Sequence, residues 1–463
     1  MKKRTFLKLS STLMTGTALM NLTACGAKDQ ANNAAPEADT KLKNWAGNLT
    51  YSTSKIFEPL SVEDVQKTVK SCNKIRALGT RHCFNRIADS KDNLISTRNL
   101  NQIISISEDS KTVTVSAGAR YGELCTYLHE KGFAIHNLAS LPHISVAGAV
   151  ATATHGSGVK NGNLATPVSA IEFVNAKGEI VSLTREKDED FHGAVVGLGA
   201  LGIVTKVTLD LLPAFSMRQD VYLNLPTQQL ETHFDEIMSA GYSVSLFTDW
   251  QTSNVNQVWI KRPVNEGEPY TAEKEFYGAT LATRNVHPII EISAENCTEQ
   301  MSVPGPWYDR LPHFKMGFTP SSGEELQAEY FVPRPLAFKA IQAVETLRKE
   351  IKPLLMITEI RTIAADNFWM SPCYYQDSVA IHFTLNPDWE GVHALLPLIE
   401  EKLAPFNVRP HWGKLFTMSP ETLQSHYKML EDFKKLVNKY DPEGKFRNEF
   451  VGRNIFGENE AAS

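Results

Sequence analysis

Five charged or polar side chains in the second half of the chain have the types and spacing of a site that binds a hydroxylated molecule. They are Glu359, Arg361, His382, Thr384 and Lys414. The first two pairs each lie two positions apart in a strand-like stretch, so the members of a pair share one face of a sheet. Carboxylate, guanidinium and ammonium groups could bind hydroxyls and stabilise charge as a proton is lost. The same alternation is also typical of a solvent-exposed polar face.

Two earlier segments could hold an anionic cofactor through backbone N–H groups. Residues 77–85 read ALGTRHCFN and follow a strand-like stretch, whereas residues 141–158 are a run of small and hydroxylated residues. Such loops bring main-chain N–H groups close to phosphate oxygens, and Arg81 adds positive charge. On composition alone, the second segment could equally be a tightly packed loop.

A third glycine motif, at 197–202, matches GxGxxG but fails the context that a dinucleotide site needs. That site requires a helix opening on the last glycine. The residues that follow alternate with period two and are rich in β-branched side chains, which predicts a strand. The glycines therefore indicate a tight turn or a close backbone approach, not a nicotinamide site.

The elements that must position these residues follow an α+β pattern along the chain. Alternation and turn signals predict strands at 74–78, 111–117, 168–175, 179–183, 203–212, 257–261, 327–332, 356–362 and 379–385. Capping and helical periodicity predict helices at 61–72, 121–132, 336–350 and 390–403. The strands carrying Glu359 and His382 are therefore expected to lie in one sheet.

The two loop segments together resemble the vanillyl-alcohol-oxidase type of FAD-binding domain. From Trp45 to Ile455 the chain is similar to the alditol oxidase branch of that family. The resemblance implies an α+β fold of two domains, in which a large antiparallel sheet flanked by helices forms the substrate domain. It places the FAD-binding domain at 41–214 and the substrate-binding domain at 215–404, with 405–457 returning to the FAD domain.

The resemblance also implies FAD as the cofactor, bound covalently through His82 of the GTRHCFN loop. The family usually has serine where this chain has Cys83. The matching cofactor positions are Ala77, Leu78, Gly79, Thr80, Arg81, His82, Cys83, Ser145, Gly148, Thr152, Thr154, His155, Gly156, Gly199, Ile203 and Asn448. The GxGxxG glycines would thus belong to a different kind of FAD site.

Residue by residue, the resemblance makes Ser145, Glu359, Arg361, Thr384 and Lys414 the residues that bind an alditol. The catalytic set would be Glu359, Arg361, His382 and Lys414. His382 is the candidate base because imidazole titrates near neutral pH. A Lys414 of lowered pKa beside Arg361 is the competing base, and the sequence leaves this choice open.

The implied activity is oxidation of a terminal alditol hydroxyl by hydride transfer to FAD, followed by reduction of O2 to hydrogen peroxide. An aldonolactone oxidase, or a dehydrogenase that uses another electron acceptor, is the alternative within the same fold. Ser145, His382 and Thr384 favour the alditol branch. A non-catalytic, sugar-binding lipoprotein is the alternative from another class, and it predicts a colourless protein.

The composition and the first 40 residues limit the partners and the cellular location that the protein can have. The chain has 463 residues, a net charge of −5, and 47 basic against 52 acidic residues, which argues against nucleic acid as a partner. Six cysteines without a CxxC pair predict no metal site. Residues 1–24 read as a signal peptide with a lipobox, and 25–40 as a flexible tether. We therefore expect an exported envelope protein that meets the membrane only through a lipid anchor at Cys25.

Overall fold

A computed structural model describes residues 42–265, 267, 270–315 and 324–458. The predicted signal peptide, the anchor at Cys25 and the tether lie outside the described residues. Within the described ranges, no helix combines the length and the apolar character needed to cross a membrane.

The strands of the described chain range from two to eleven residues in length. They are β1 (Ile56–Phe57), β2 (Arg76–Leu78), β3 (Leu94–Ser96), β4 (Ile103–Ile106), β5 (Thr112–Ser116), β6 (Phe133–Ala134), β7 (Val168–Val174), β8 (Ile180–Thr184), β9 (Ile203–Asp210), β10 (Leu212–Pro213), β11 (Ser216–Pro226), β12 (Ser243–Thr248), β13 (Asn254–Val264), β14 (Glu275–Phe276), β15 (Ala279–Leu281), β16 (Gly305–Pro306), β17 (Leu326–Pro333), β18 (Leu355–Ile363), β19 (Ser378–Leu385) and β20 (Arg409–Pro410).

Helices connect and cover these strands. They are α1 (Val62–Ser71), α2 (Tyr121–Glu130), α3 (Val146–Ala151), α4 (Phe191–Ala194), α5 (Gln229–Met238), α6 (Trp307–Arg310), α7 (Ala337–Glu345), α8 (Arg348–Ile351), α9 (Trp389–Leu403), α10 (Pro420–Ser425), α11 (Leu430–Tyr440) and α12 (Glu449–Val451). As predicted, Ser61 caps α1, because its hydroxyl accepts a hydrogen bond from the Asp64 N–H.

Three sheets form the region before residue 214, the smallest being the antiparallel pair of β6 and β10. β1, β3 and β2 make a small parallel sheet, and β4, β5, β9, β7 and β8 make an antiparallel sheet in that order. The predicted hairpin at 168–183 is present as β7 and β8. β9 follows the GxGxxG segment directly, so the segment opens a strand and not a helix.

The large sheet has ten strands, all antiparallel, with β12, β18, β19 and β17 adjacent near its centre. Residues alternate between its faces, and Ile360, Ile381 and Phe383 belong to a buried hydrophobic cluster. Helices α5, α7 and α9 pack on these strands. The same cluster includes Val207 of β9 and Leu246 of β12, so the core is continuous between the two regions. The structure therefore has the predicted α+β class.

Two predicted elements differ from the structure. Residues 141–158 are not wholly loop, because α3 forms there and buries Val146, Ala149 and Val150 at helical spacing. The helix predicted at 336–350 is divided into α7 and α8. Thr346 lies at the break, and its hydroxyl donates to the Ala343 carbonyl, which competes with the helical hydrogen bonds.

Candidate active site

A cavity of about 380 Å³ collects most of the residues that the sequence singled out. Its wall includes Ala77, Leu78, Gly79, Thr80, Arg81, His82, Cys83, Ser145, Gly148, Thr152, Thr154, His155, Gly199, Glu359, Arg361, His382, Thr384 and Lys414. Residues from the small sheets and from the large sheet thus face one shared space. We refer to this space as the cavity.

Two predicted cofactor positions, Gly156 and Ile203, lie outside the cavity wall. A Cβ atom on Gly156 would lie 2.4 Å from the Asn137 side-chain oxygen, so this glycine permits close packing of two loops. Ile203 is fully buried in a hydrophobic cluster with Val65 and Val69. Its side chain packs α1 against the sheet.

Asn448 also lies away from the cavity. Its side chain caps α12 by accepting from the Val451 N–H and donates to backbone carbonyls at residues 86, 87 and 89. The C-terminal segment nevertheless returns to the first region, because Arg76 donates to the Phe446 and Gly199 carbonyls at 2.9 and 2.7 Å. Arg76 therefore ties that segment to the turn that borders the cavity.

The first region offers a glycine-lined wall that fits FAD. A Cβ atom on either Gly79 or Gly148 would lie 2.9 Å from the Ser145 hydroxyl, so only glycine leaves this backbone open. Gly199 has φ +67° at the same wall. The buried Ser145 hydroxyl has no hydrogen-bond partner within the described chain. Bare backbone and an unused hydroxyl suit a large ligand with polar oxygens.

His82 is held between two aromatic rings on the cavity wall. Its imidazole stacks on the Trp45 ring at a centroid distance of 5.0 Å and lies 5.4 Å from the His143 ring. Burial lowers the pKa of His82 to about 3. The ring is therefore neutral near pH 7, and a neutral imidazole nitrogen has the lone pair needed to bond an electrophilic carbon.

The opposite wall is a polar strip on the three central strands β17, β19 and β18. Strand register pairs Glu329 with His382 and His382 with Glu359, so these three side chains lie in one row. Gln327 pairs with Thr384 in the next row. The pairs that the sequence placed on one face of each strand are therefore brought together. Gln327 and Glu329 of this wall are not among the site residues predicted from the sequence.

Glu329 is the most enclosed charge of the strip. Its Oε1 lies 2.7 Å from the Arg361 Nη2 and 3.0 Å from the His155 Nε2. Burial raises the pKa of Glu329, but His155 and Arg361 outweigh it and hold the pKa well below its usual range. The carboxylate is therefore ionised, and it orients the Arg361 guanidinium.

Glu359 has a second partner that the sequence did not indicate. His313 Nε2 lies 2.7 Å from its Oε1, and the Arg361 Nε lies 3.5 Å from the same oxygen. The buried Lys261 donates to the carbonyls of residues 310, 311 and 312, at 2.7, 2.6 and 2.8 Å. Since those residues directly precede His313, Lys261 fixes the segment that places His313 against Glu359.

The two candidate bases lie close together on this wall. Burial lowers the pKa of His382 to about 3 and also lowers the pKa of Lys414. The Lys414 ammonium donates to the Gln327 side-chain oxygen, which lies 3.2 Å from the His382 Nε2. Neutral His382 has one nitrogen lone pair and can accept a proton, while Lys414 and Arg361 can stabilise an oxygen that becomes negative.

Three site residues were not predicted from the sequence, and only two of them lie in a sequence pattern that could have indicated them. Gln327 and Glu329 alternate with the apolar Ala328 and Tyr330 in a predicted strand, which is the same signal that pointed to Glu359. His313 lies in an irregular segment, and the sequence offers no local signal for it.

Comparison with known proteins supports this cofactor and fold. Residues 53–184 match the family model described as FAD binding domain, and residues 318–454 match the one described as D-arabinono-1,4-lactone oxidase. Cholesterol oxidase from Brevibacterium sterolicum shares the fold, with a TM-score of 0.73 at 16% identity over 90% of this chain and 96% of that chain. The fold and the cavity together define an FAD-dependent oxidoreductase.

Two relatives cover nearly the whole chain. An alditol oxidase of Streptomyces sp. (strain IKD472 / FERM P-14339) is 45% identical over 415 residues, which are 89% of this chain and 98% of the relative. An L-gulono-1,4-lactone dehydrogenase of Mycobacterium tuberculosis is 26% identical over 426 residues, with coverage of 89% and 98%. The chain belongs to the alditol oxidase family.

Proposed function

We propose that the protein oxidises the terminal hydroxyl of an alditol such as xylitol or sorbitol to the aldose, and that O2 accepts the electrons. The observation that carries this proposal is the convergence of Ser145, Glu359, Arg361, Thr384 and Lys414 on one cavity. The Streptomyces relative, an alditol oxidase by name, supports the same substrate class. The carbinol carbon loses a hydride and its hydroxyl loses a proton, while O2 gains two electrons and two protons to give hydrogen peroxide.

In the proposed reaction, each group in the cavity has a separate role. FAD, when bound, supplies the two-electron acceptor. Glu359 accepts hydrogen bonds from substrate hydroxyls, and Arg361 and Lys414 donate to the oxygen that becomes alkoxide-like. The hydroxyl proton goes to neutral His382 in this scheme. Residues 77–83, Ser145 and Gly148 hold the cofactor.

A substrate and acceptor panel on the purified protein tests the proposal. Xylitol and sorbitol should drive oxygen uptake with one hydrogen peroxide formed per O2 consumed. L-Gulono-1,4-lactone should be oxidised with a much lower kcat/KM. The lactone-oxidase match at 318–454 makes a lactone enzyme the second candidate. Turnover of the lactone and not of xylitol would favour that candidate. Turnover of xylitol only with an artificial electron acceptor would refute O2 as the acceptor.

We further propose that His82 carries the flavin covalently. The stacking of its ring on Trp45 and its neutral state support this role. Acid precipitation should leave yellow flavin in the wild-type pellet and release it from His82→Ala. Because His143 is the neighbouring imidazole, His143→Ala is the matched control and should retain the flavin. Free flavin in the wild-type supernatant would refute the covalent bond.

We also propose export and lipid anchoring at Cys25, which rest on the signal and lipobox pattern of residues 1–25. A Cys25→Ser variant expressed in the source cell type should move from the membrane fraction to the soluble fraction. Cys72→Ser is the matched control and should stay with membranes. An unchanged distribution of Cys25→Ser would refute the anchor.

A further inference from the structure

Gln327 lies between the two candidate bases and contacts both. Its side-chain oxygen accepts a hydrogen bond from the Lys414 ammonium and lies 3.2 Å from the His382 Nε2. Its Nε2 donates to the Glu325 carboxylate. Gln327 and Glu325 are both 8% exposed, so water competes little for these contacts.

The two charged neighbours fix which way the Gln327 amide points. A carboxylate only accepts hydrogen bonds, so the amide NH2 must face Glu325. An ammonium only donates, so the amide oxygen must face Lys414. Both conditions give the same orientation. The oxygen therefore also faces His382, and the His382 Nε2 must carry the hydrogen in that contact.

This contact determines the tautomer of His382. A neutral imidazole carries one N–H and one lone pair, so a hydrogen on Nε2 leaves the lone pair on Nδ1. The Nδ1 atom is buried and has no hydrogen-bond partner within the described ranges. No other observed contact therefore opposes this tautomer.

We propose that Gln327, held by Glu325, is a positioning residue that keeps His382 as the Nε2–H tautomer and orients Lys414 beside it. Any proton that His382 accepts then binds Nδ1, the nitrogen that carries the lone pair. The role in catalysis rests on the proposed function, whereas the tautomer does not depend on which substrate the enzyme uses.

Nitrogen-15 NMR of histidine-labelled holoenzyme tests the tautomer directly. The His382 resonances are identified by their loss in His382→Asn. At pH 7 we expect Nδ1 to show the shift of a bare, pyridine-like nitrogen and Nε2 that of a protonated, pyrrole-like nitrogen. The reversed pattern would overturn the proposal. Since this experiment needs no turnover, it remains informative even where the alditol is not the substrate.

Two substitutions separate positioning from mere packing. Gln327→Met has similar length but no acceptor, so the two His382 tautomers should exchange and kcat should fall at least tenfold. Gln327→Glu keeps an acceptor for Nε2–H, so it should retain the wild-type tautomer. Retention of the single wild-type tautomer in Gln327→Met would overturn the proposal.

The pH profile gives a second readout. The charged groups that act on His382 are Glu329, Glu359, Arg361 and Lys414. The added carboxylate of Gln327→Glu favours imidazolium, so the acidic limb of kcat should move to higher pH by about one unit or more. If the acidic limb of the kcat–pH profile did not shift in a folded Gln327→Glu enzyme, the contact between residue 327 and His382 would be contradicted.

Discussion

Replacing the buried carboxylate of Glu329 should strongly destabilise the protein. Glu329→Gln keeps the size of the side chain and one acceptor oxygen but removes the charge that faces Arg361 at 2.7 Å and His155 at 3.0 Å. Arg361 is only 6% exposed, and among the described residues its remaining ion-pair partner would be Glu359, whose Oε1 lies 3.5 Å from its Nε. Removing one partner of a buried ion pair leaves an uncompensated charge, and this costs about 3–5 kcal/mol.

That cost converts to a shift in melting temperature. Unfolding entropy is about 2.1 cal/mol/K per residue, so roughly 400 ordered residues give about 0.85 kcal/mol/K. The expected decrease in Tm at pH 7 is therefore about 4–6 °C. Because the pKa of Glu329 is lowered on folding, its charge stabilises the protein above the usual glutamate pKa of about 4.3. The difference between the two proteins should shrink as the pH falls below about 4.

Differential scanning calorimetry of the two holoenzymes measures this difference. Glu345→Gln is the matched control, since the Glu345–Arg348 pair is equally short at 2.6 Å but lies at the surface. That exposed pair is worth about 0.3–0.5 kcal/mol, so its loss should change Tm by less than about 1 °C. Equal shifts for the two variants would refute the reasoning about burial.

Three further changes probe separate features. Lys414→Met removes an ammonium that stabilises negative oxygen, so kcat should fall about 10²–10³-fold in steady-state assays; a change below threefold would contradict that role. Burial raises the pKa of Asp366 to about 6, above its usual value of about 3.9. The folded state then binds more protons between those pH values, so Asp366 makes the unfolding free energy fall as pH rises from about 4 to 6. Urea titrations should show that Asp366→Asn lacks this slope, whereas parallel pH dependences would refute it. Gly202→Ala would place a Cβ 2.4 Å from the Val174 carbonyl oxygen and should cost about 1–3 kcal/mol in the same titrations; a loss below about 0.5 kcal/mol would show that the backbone adapts.

Local patterns in the sequence predict much of this site. Alternation alone places Glu359 with Arg361 and His382 with Thr384, and the register of β18 and β19 brings the pairs into adjacent rows. The same alternation predicts the strand at 327–332 but assigns no site role to Gln327. A strand's neighbours depend on long-range pairing, so the sequence does not show that β17 lies beside β19.

Contacts between distant segments account for what the sequence does not predict. Lys261 is 52 residues before His313, and its three carbonyl contacts exist only because the chain folds residues 310–312 over β13. Asn448 was predicted to contact the cofactor, but its side chain does not line the cavity. It caps α12 and donates hydrogen bonds to the backbone carbonyls of residues 86, 87 and 89. Its residue type suits both roles, and only the fold distinguishes them.

The charged side chains of the cavity bear on the kind of molecule that it suits. Groups of both signs face the polar strip: the carboxylates Glu325, Glu329 and Glu359 and the cations Arg361 and Lys414. Burial keeps His382 and His411 neutral by lowering the pKa of each to about 3. An ionised substrate would add a further charge to a buried site, which is costly. A neutral, multiply hydroxylated molecule adds none, and its hydroxyls both donate to carboxylates and accept from cations. The strip can therefore both accept hydrogen bonds from the hydroxyls of a neutral polyol and donate hydrogen bonds to them. In the proposed reaction, Arg361 and Lys414 are already in place to compensate the negative charge that develops on oxygen.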